Sequence, residues 1–278
     1  MTSDAEQQPA SVAGAHQASD GGLAAAPPAL RLVQLAKRFG DTTAVDGLSL
    51  EIPQGSMFGL VGPNGAGKTT TLSMATGLLR PDHGTASVLG HDVWSDAARA
   101  KAIMGVLPDG VHLFDRLTGA ELLRYNGLLR GIPAPVVASR TADLLTTLGL
   151  DDTRGRAVAD YSAGMRKKIA LACALIHAPR LLVLDEPFEA VDPVSGETIR
   201  AILRDFVAGG GTVVLSSHVM ELVESLCDRV GVVVDGQLLA SGTLDEVRQG
   251  TSLQQRFVQL VGRGDDGEGL PWLRASSH

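Results

Sequence analysis

The apolar positions of this chain fall into short runs, and the spacing of those runs alternates between strand-like and helix-like. Leu32 to Ala36 and Leu48 to Ile52 have strand length, with Gly40-Asp41 as a turn between them. The unbroken run Met57-Phe58-Gly59-Leu60-Val61 predicts a third strand, and the stretch that follows predicts a helix as far as Leu79. Pro81-Asp82-His83-Gly84 turns the chain into a further strand, Thr85 to Leu89. From about 92 to 165 the pattern is mostly helical, apart from a strand expected at 103–107. Ala120 to Leu129 and Val136 to Leu148 carry apolar residues at helical spacing, and Gly149 stops the second of these helices. Leu181 to Asp185, Thr212 to Ser217 and Val230 to Val234 are apolar runs separated by helical patterns, as in a parallel sheet covered on both faces. Asp235-Gly236 then marks a tight hairpin into Gln237 to Ala240. The pattern predicts an α/β fold with no internal repeat. Residues 1–29, rich in Ala, Gln, Ser, Gly and Pro, show no periodicity and read as a disordered tail.

Composition narrows the class. A chain of 278 residues with 44% hydrophobic content has room for one large α/β domain or two smaller ones. The longest apolar run, Ile169 to Ile176, is far too short to cross a bilayer. The N-terminus has neither a basic start nor an apolar core segment, so no secretory signal is expected. The reading is a soluble chain whose membrane work, if any, is done through another polypeptide. A net charge of −7 argues against general nucleic-acid binding. Cys173 and Cys227 lie in apolar, helix-like stretches and read as buried free thiols.

The chemistry begins at Gly62-Pro63-Asn64-Gly65-Ala66-Gly67-Lys68-Thr69, which fits the phosphate-binding pattern of two glycines, a lysine and a hydroxyl residue. Glycines let successive backbone N–H groups face an anion, and the following helix adds the positive end of its dipole. Lys68 brings a full charge to the β- and γ-phosphates, and the Thr69 hydroxyl can ligate Mg²⁺. A glycine-rich turn with an exposed lysine is the plain alternative, but the strand before and the helix after favour phosphate. In open α/β sheets ligands bind at the carboxyl ends of strands. Those ends here deliver Asp185 and Glu186, His218, and Pro108-Asp109. Asp185 can hold Mg²⁺, Glu186 can take a proton from water, and His218 can hydrogen-bond the γ-phosphate. Each alone has a dull reading as a helix cap or a surface residue. Their agreement at several strand ends favours the functional one.

These motifs resemble the ATPase subunit of an ATP-binding cassette (ABC) transporter, over about residues 30 to 248. Gly62 to Thr70 is similar to the family's phosphate loop, and Leu181-Leu182-Val183-Leu184-Asp185-Glu186-Pro187 to its Walker B strand with the catalytic glutamate. Ala190-Val191-Asp192-Pro193 resembles the D-loop, and Ser216-Ser217-His218 the switch histidine. Phe39 stands where the family stacks an aromatic ring on adenine, with Val45 beside it. Tyr161-Ser162-Ala163-Gly164-Met165 occupies the signature position, at the start of a helix expected over 165–178. The signature departs from the usual Leu-Ser-Gly-Gly-Gln at Ala163 and Met165. Asp109 stands where the family usually has glutamine, and an ionised aspartate can ligate Mg²⁺ but donates no hydrogen bond. Tyr-Ser-x-Gly-Met and Ser252-Leu253-Gln254-Gln255-Arg256-Phe257 are closest to the branch that drives ABC-2 type bacterial exporters.

The resemblance implies a P-loop NTPase core with an antiparallel β subdomain and an inserted helical subdomain. The ATPase domain would span 30–251, with the helical part at about 92–165 and a C-terminal extension at 252–278. It also implies ATP and Mg²⁺, with Thr69, Asp109 and Asp185 around the metal. The partners implied are a multi-span permease on a separate chain and a second ATPase, identical or different. The signature of one ATPase would close over the nucleotide of the other, at the inner face of the membrane. A GTPase is disfavoured because the only asparagines, Asn64 and Asn126, build no guanine-reading motif. The remaining rival is a non-transport ABC ATPase clamp of the DNA-repair or iron–sulfur-assembly kind. The sequence shows none of the zinc motif, coiled-coil arm or basic stripe such a clamp would use.

Overall fold

The computed structural model describes residues 26–110, 112–153 and 155–262. In chain order the strands are β1 (Leu30–Phe39), β2 (Thr42–Ile52), β3 (Met57–Val61), β4 (His83–Val88), β5 (His91–Asp92), β6 (Met104–Leu107), β7 (Leu181–Leu184), β8 (Thr212–Ser217), β9 (Arg229–Val234) and β10 (Gln237–Thr243). The helices are α1 (Lys68–Ala75), α2 (Ala97–Ala102), α3 (Gly119–Leu129), α4 (Ala134–Thr147), α5 (Ala163–Leu175), α6 (Pro193–Ala208), α7 (Met220–Leu226), α8 (Leu244–Arg248) and α9 (Leu253–Val261).

Two sheets divide the strands. One is antiparallel, in the order β2-β1-β4-β5; the other runs β10-β9-β3-β8-β7-β6. In the second, β6 to β9 with β3 are parallel, and β10 closes the edge antiparallel to β9 through the left-handed Asp235 and Gly236. β3 shows why its run is apolar throughout. Phe58 and Leu60 point into a core shared with the antiparallel sheet, whereas Met57 and Val61 point into a second core. That second core is filled from α5, α6 and α7. Alternate residues of a strand face opposite ways, so a strand covered on both sides needs apolar residues at every position.

Several boundaries differ from those expected. α1 stops at Ala75 rather than Leu79, because Gly77 is left-handed and the Leu78 N–H turns back to the Ser73 carbonyl, closing the helix. The strand expected at 103–107 is β6, which pairs with β7 as the edge of the parallel sheet, so the stretch expected to be mostly helical from about 92 becomes so only after it. The helices that build a core of their own are α3 and α4. Leu122, Leu123, Leu145 and Leu148 pack there against Ile169 and Ala172 of α5. Of the tail expected at 1–29, residues 1–25 lie outside the described residues. Ala29 already belongs to the fold: it is buried, and its N–H bonds the Ile52 carbonyl at 2.8 Å. Of the expected extension at 252–278, α9 joins the second core through Leu253, Phe257 and Leu260, and 263–278 lie outside the described residues. Cys173 and Cys227 are free, and burial pushes the Cys173 thiol up to about 12.

Candidate active site

β3 runs out at Val61 into the loop 62–67, and the loop ends in α1. Gly67, the residue before α1, has φ +97°, and a Cβ there would lie 2.3 Å from the Ala44 carbonyl oxygen. Only glycine can take that conformation so close to another backbone. No side chain caps α1, so the N–H groups of its first turn have no partner within the helix. They open onto a cleft of about 300 Å³ lined by the loop, Ala44, Asp109, Glu186, Glu189 and His218. Lys68 is not a surface charge. It is 6% exposed, with Nζ donating to the Gly62 carbonyl at 2.8 Å and the Pro63 carbonyl at 3.1 Å, and lying 3.7 Å from Glu186 Oε1.

The opposite wall is acidic. Asp185 follows β7 and is buried; its N–H bonds the Leu107 carbonyl, which ties it to β6. The Ser216 and Thr69 hydroxyls both donate to its carboxylate. Burial nonetheless holds its pKa above the usual carboxylate value, and the neighbouring Asp109 and Glu186 charges push the same way. Glu186 has φ +44°, a left-handed conformation uncommon outside glycine. Its N–H donates to Ser216 Oγ at 2.8 Å and its carbonyl accepts from Lys167 Nζ at 2.8 Å. Its carboxylate sits between Lys68 and His218, with His218 Nδ1 3.2 Å from Oε2.

The residues expected around a metal meet at this place. Thr69 and Asp109 line the cleft, and Asp185 stands behind Thr69. Among the described residues no three His, Cys, Asp or Glu side chains form a self-sufficient metal site. Two carboxylates and a hydroxyl are a hard oxygen set. They suit Mg²⁺, which takes its remaining ligands from phosphates and water. The donor set therefore fits the ion expected there.

Other expected residues lie elsewhere. Val45 is fully buried in the core, and its neighbour Ala44 lines the cleft instead. The two are adjacent on β2, so they face opposite sides. Phe39 is half-exposed under Lys37 and outside the cleft. The segment 161–165 is also outside it. Tyr161 is buried with its hydroxyl on Thr153, Ser162 caps α5 through the Met165 N–H, and Ala163 is exposed. Gly164 packs so closely on α6 that a Cβ would lie 2.8 Å from an Asp192 carboxylate oxygen. Asp192 itself caps α6 through the Ser195 N–H, a bond that lowers its pKa. Sequence reasoning did not assign roles to Ser216, Lys167, Glu189 or Ala44. Ser216 left a trace, as a polar residue at the end of an otherwise apolar strand run. Lys167 left none, because its contact depends on how α5 lies against the end of β7.

The chain is similar to several known proteins. A family model described as ABC transporter matches residues 45–189, which include the phosphate loop, Asp109, Asp185 and Glu186. The linearmycin resistance ATP-binding protein LnrL of Bacillus subtilis (strain 168) is 37% identical over 251 residues, covering 90% of this chain and 80% of that protein. The daunorubicin/doxorubicin resistance ATP-binding protein DrrA of Streptomyces peucetius is 39% identical over 226 residues, covering 81% and 68%. A solved structure of the ATP-binding subunit of an ABC transporter superposes with a TM-score of 0.78 at 28% identity, over 84% of this chain and 99% of the other.

Proposed function

The chain belongs to the ABC transporter family, and on that premise we propose that it is the ATP-binding and ATP-hydrolysing subunit of a membrane exporter. The observation that carries the enzymatic part is the cleft itself. One concave site gathers the free N–H groups of α1, Lys68, Asp109 and the Glu186–His218 pair, with the buried Asp185 behind Thr69. The α1 N–H groups and Lys68 bind the triphosphate. Lys68 is shared at present between two loop carbonyls and Glu186. An incoming γ-phosphate draws the ammonium toward itself and leaves Glu186 free to accept a proton from the attacking water. His218 steadies the carboxylate at Oε2 and would hydrogen-bond the γ-phosphate. Thr69, Asp185 and Asp109 would hold Mg²⁺, which supplies charge neutralisation on the phosphate oxygens.

Export is carried over from LnrL and DrrA, whose names describe resistance ATP-binding proteins. No described helix is long and apolar enough to cross a membrane, so the reading places the span on a separate permease chain. This subunit would sit peripherally on the inner face of that membrane. A second ATPase subunit, identical or related, would cover the nucleotide with its segment 161–165. The test is Glu186→Gln in the full chain. ATP binding should persist while turnover falls at least ~10²-fold. Hydrolysis at the wild-type rate would assign the base to another group. Failure of a multi-span membrane protein to co-purify with the chain from its native cell would count against the exporter.

A further inference from the structure

The first turns of α5 carry three consecutive cations, and each goes to a different part of the molecule. Arg166 pairs with Asp115 at 3.0 Å and donates to the Val158 carbonyl. Lys168 is buried, and its charge helps keep Asp192 ionised. Lys167 is half-buried and donates to the carbonyl oxygen of Glu186 at 2.8 Å. Among the described residues no carboxylate stands within ion-pair distance of Lys167, so a full positive charge is directed at one neutral peptide oxygen.

The residue that carries this oxygen, Glu186, is left-handed, with φ +44°. A non-glycine residue in the left-handed region is strained and persists only when its surroundings over-determine it. Glu186 is held at both backbone ends, its N–H by Ser216 and its carbonyl by Lys167. The two bonds together fix the direction of its Cα–Cβ bond, and so where the carboxylate lies between Lys68 and His218. We propose that Lys167 is a positioning residue for hydrolysis. It locks the Glu186 peptide in its left-handed conformation and ties the base to the helix that begins at the 161–165 segment. Lys167 lies two residues beyond Met165, less than one helical turn. A displacement of the α5 N-terminus therefore reaches the base through a single side chain. The proposal rests on the reading of Glu186 as the general base.

The experiment compares Lys167→Met, Lys167→Arg, Glu186→Gln and the Lys167→Met/Glu186→Gln double variant in the full chain. ATP affinity is measured by equilibrium titration and hydrolysis by single-turnover assay. Methionine keeps the apolar stem without the donor, and arginine keeps a cationic donor. Lys167→Met should slow hydrolysis by roughly 10- to 100-fold, the usual effect of a small misplacement of a catalytic group, with ATP affinity unchanged. Lys167→Arg should recover most of the rate. On the Glu186→Gln background the methionine substitution should slow hydrolysis no further, because residues that act as a unit are non-additive. A wild-type rate for Lys167→Met beside an inactive Glu186→Gln would overturn the role of Lys167 alone. So would an equal further loss in the double variant. A wild-type rate for Glu186→Gln would remove the base assignment, and this proposal with it.

Discussion

Two loops face each other across the nucleotide cleft, and they reach their shapes by opposite means. In the loop 62–67 the left-handed positions are glycines, Gly65 at φ +83° and Gly67 at φ +97°. Its conformation is unstrained, and its own residues specify it. The loop that leaves β7 is left-handed at Glu186, φ +44°, and at Ala190, φ +55°, where every conformer carries a Cβ penalty. It is held from outside, by Ser216 on β8, Lys167 on α5 and the Asp192 cap of α6. The anion-binding loop needs only backbone N–H groups at defined positions, which glycine supplies. The second loop must present a carboxylate, so glycine is unavailable at its first position and the strain has to be offset by neighbours.

The largest effect that could break this comparison is expected at Gly67. An added methyl group would meet the Ala44 carbonyl oxygen at 2.3 Å, and a backbone atom cannot swing aside. Gly67→Ala should abolish ATP binding and lower stability by about 3 kcal/mol or more. Gly65→Ala is the control. It carries the same kind of dihedral penalty, but nothing lies within 4 Å of its added Cβ, so only about 1–2 kcal/mol is expected. Denaturant midpoints of the two variants measure the difference. Equal losses would mean that the close approach to Ala44 does not matter.

An intermediate effect is expected for Ser216→Ala, which withdraws an outside support. The hydroxyl accepts from the Glu186 N–H and donates to Asp185, so its loss leaves a buried donor and a buried carboxylate short of a partner. A stability cost of about 1–3 kcal/mol is expected, with hydrolysis slowed roughly 10-fold or more as Glu186, the proposed base, loses its alignment. Turnover at the wild-type rate in a stably folded variant would show that β8 does not hold the loop.

This contrast also explains what could be read from the sequence. Glycine spacing, a strand before and a helix after made the anion-binding loop visible, and Asp185, Glu186 and His218 followed as polar residues closing apolar strands. The parallel sheet was legible for the same reason, since β3 and β7 carry no polar residue, β9 only Arg229, and β8 has Val213-Val214-Leu215 between hydroxyl residues. Val45, expected beside Phe39, points into the core, because neighbouring residues of a strand look alike in sequence while pointing oppositely. The reach of α9 into the second core was missed because Leu253, Phe257 and Leu260 declare an amphipathic helix but not what it packs against. Lys167 and Ser216 were missed because their partner lies 19 and 30 residues away, at a contact that only the packed sheet creates.

The smallest effect sharpens the comparison by its sign. Ala190 holds φ +55° on an exposed loop, where an alanine side chain gains little by packing. Substituting glycine removes a left-handed penalty of about 1–2 kcal/mol. It also frees the unfolded chain, which costs about 0.4–1 kcal/mol. The balance for Ala190→Gly is a stabilisation of about 0.5 kcal/mol, a rise of one or two degrees in the thermal midpoint for a domain of this size. Glycine removal should therefore weaken the first loop while glycine addition strengthens the second. Activity supplies the second half of the test. If the left-handed turn at Ala190 serves only to steer the chain toward Asp192, hydrolysis in Ala190→Gly should match wild type. A fall in hydrolysis with the midpoint raised would instead mean that stiffness at Ala190 is part of how the loop keeps Glu186 in place, and the supports of this loop would then extend beyond Ser216 and Lys167.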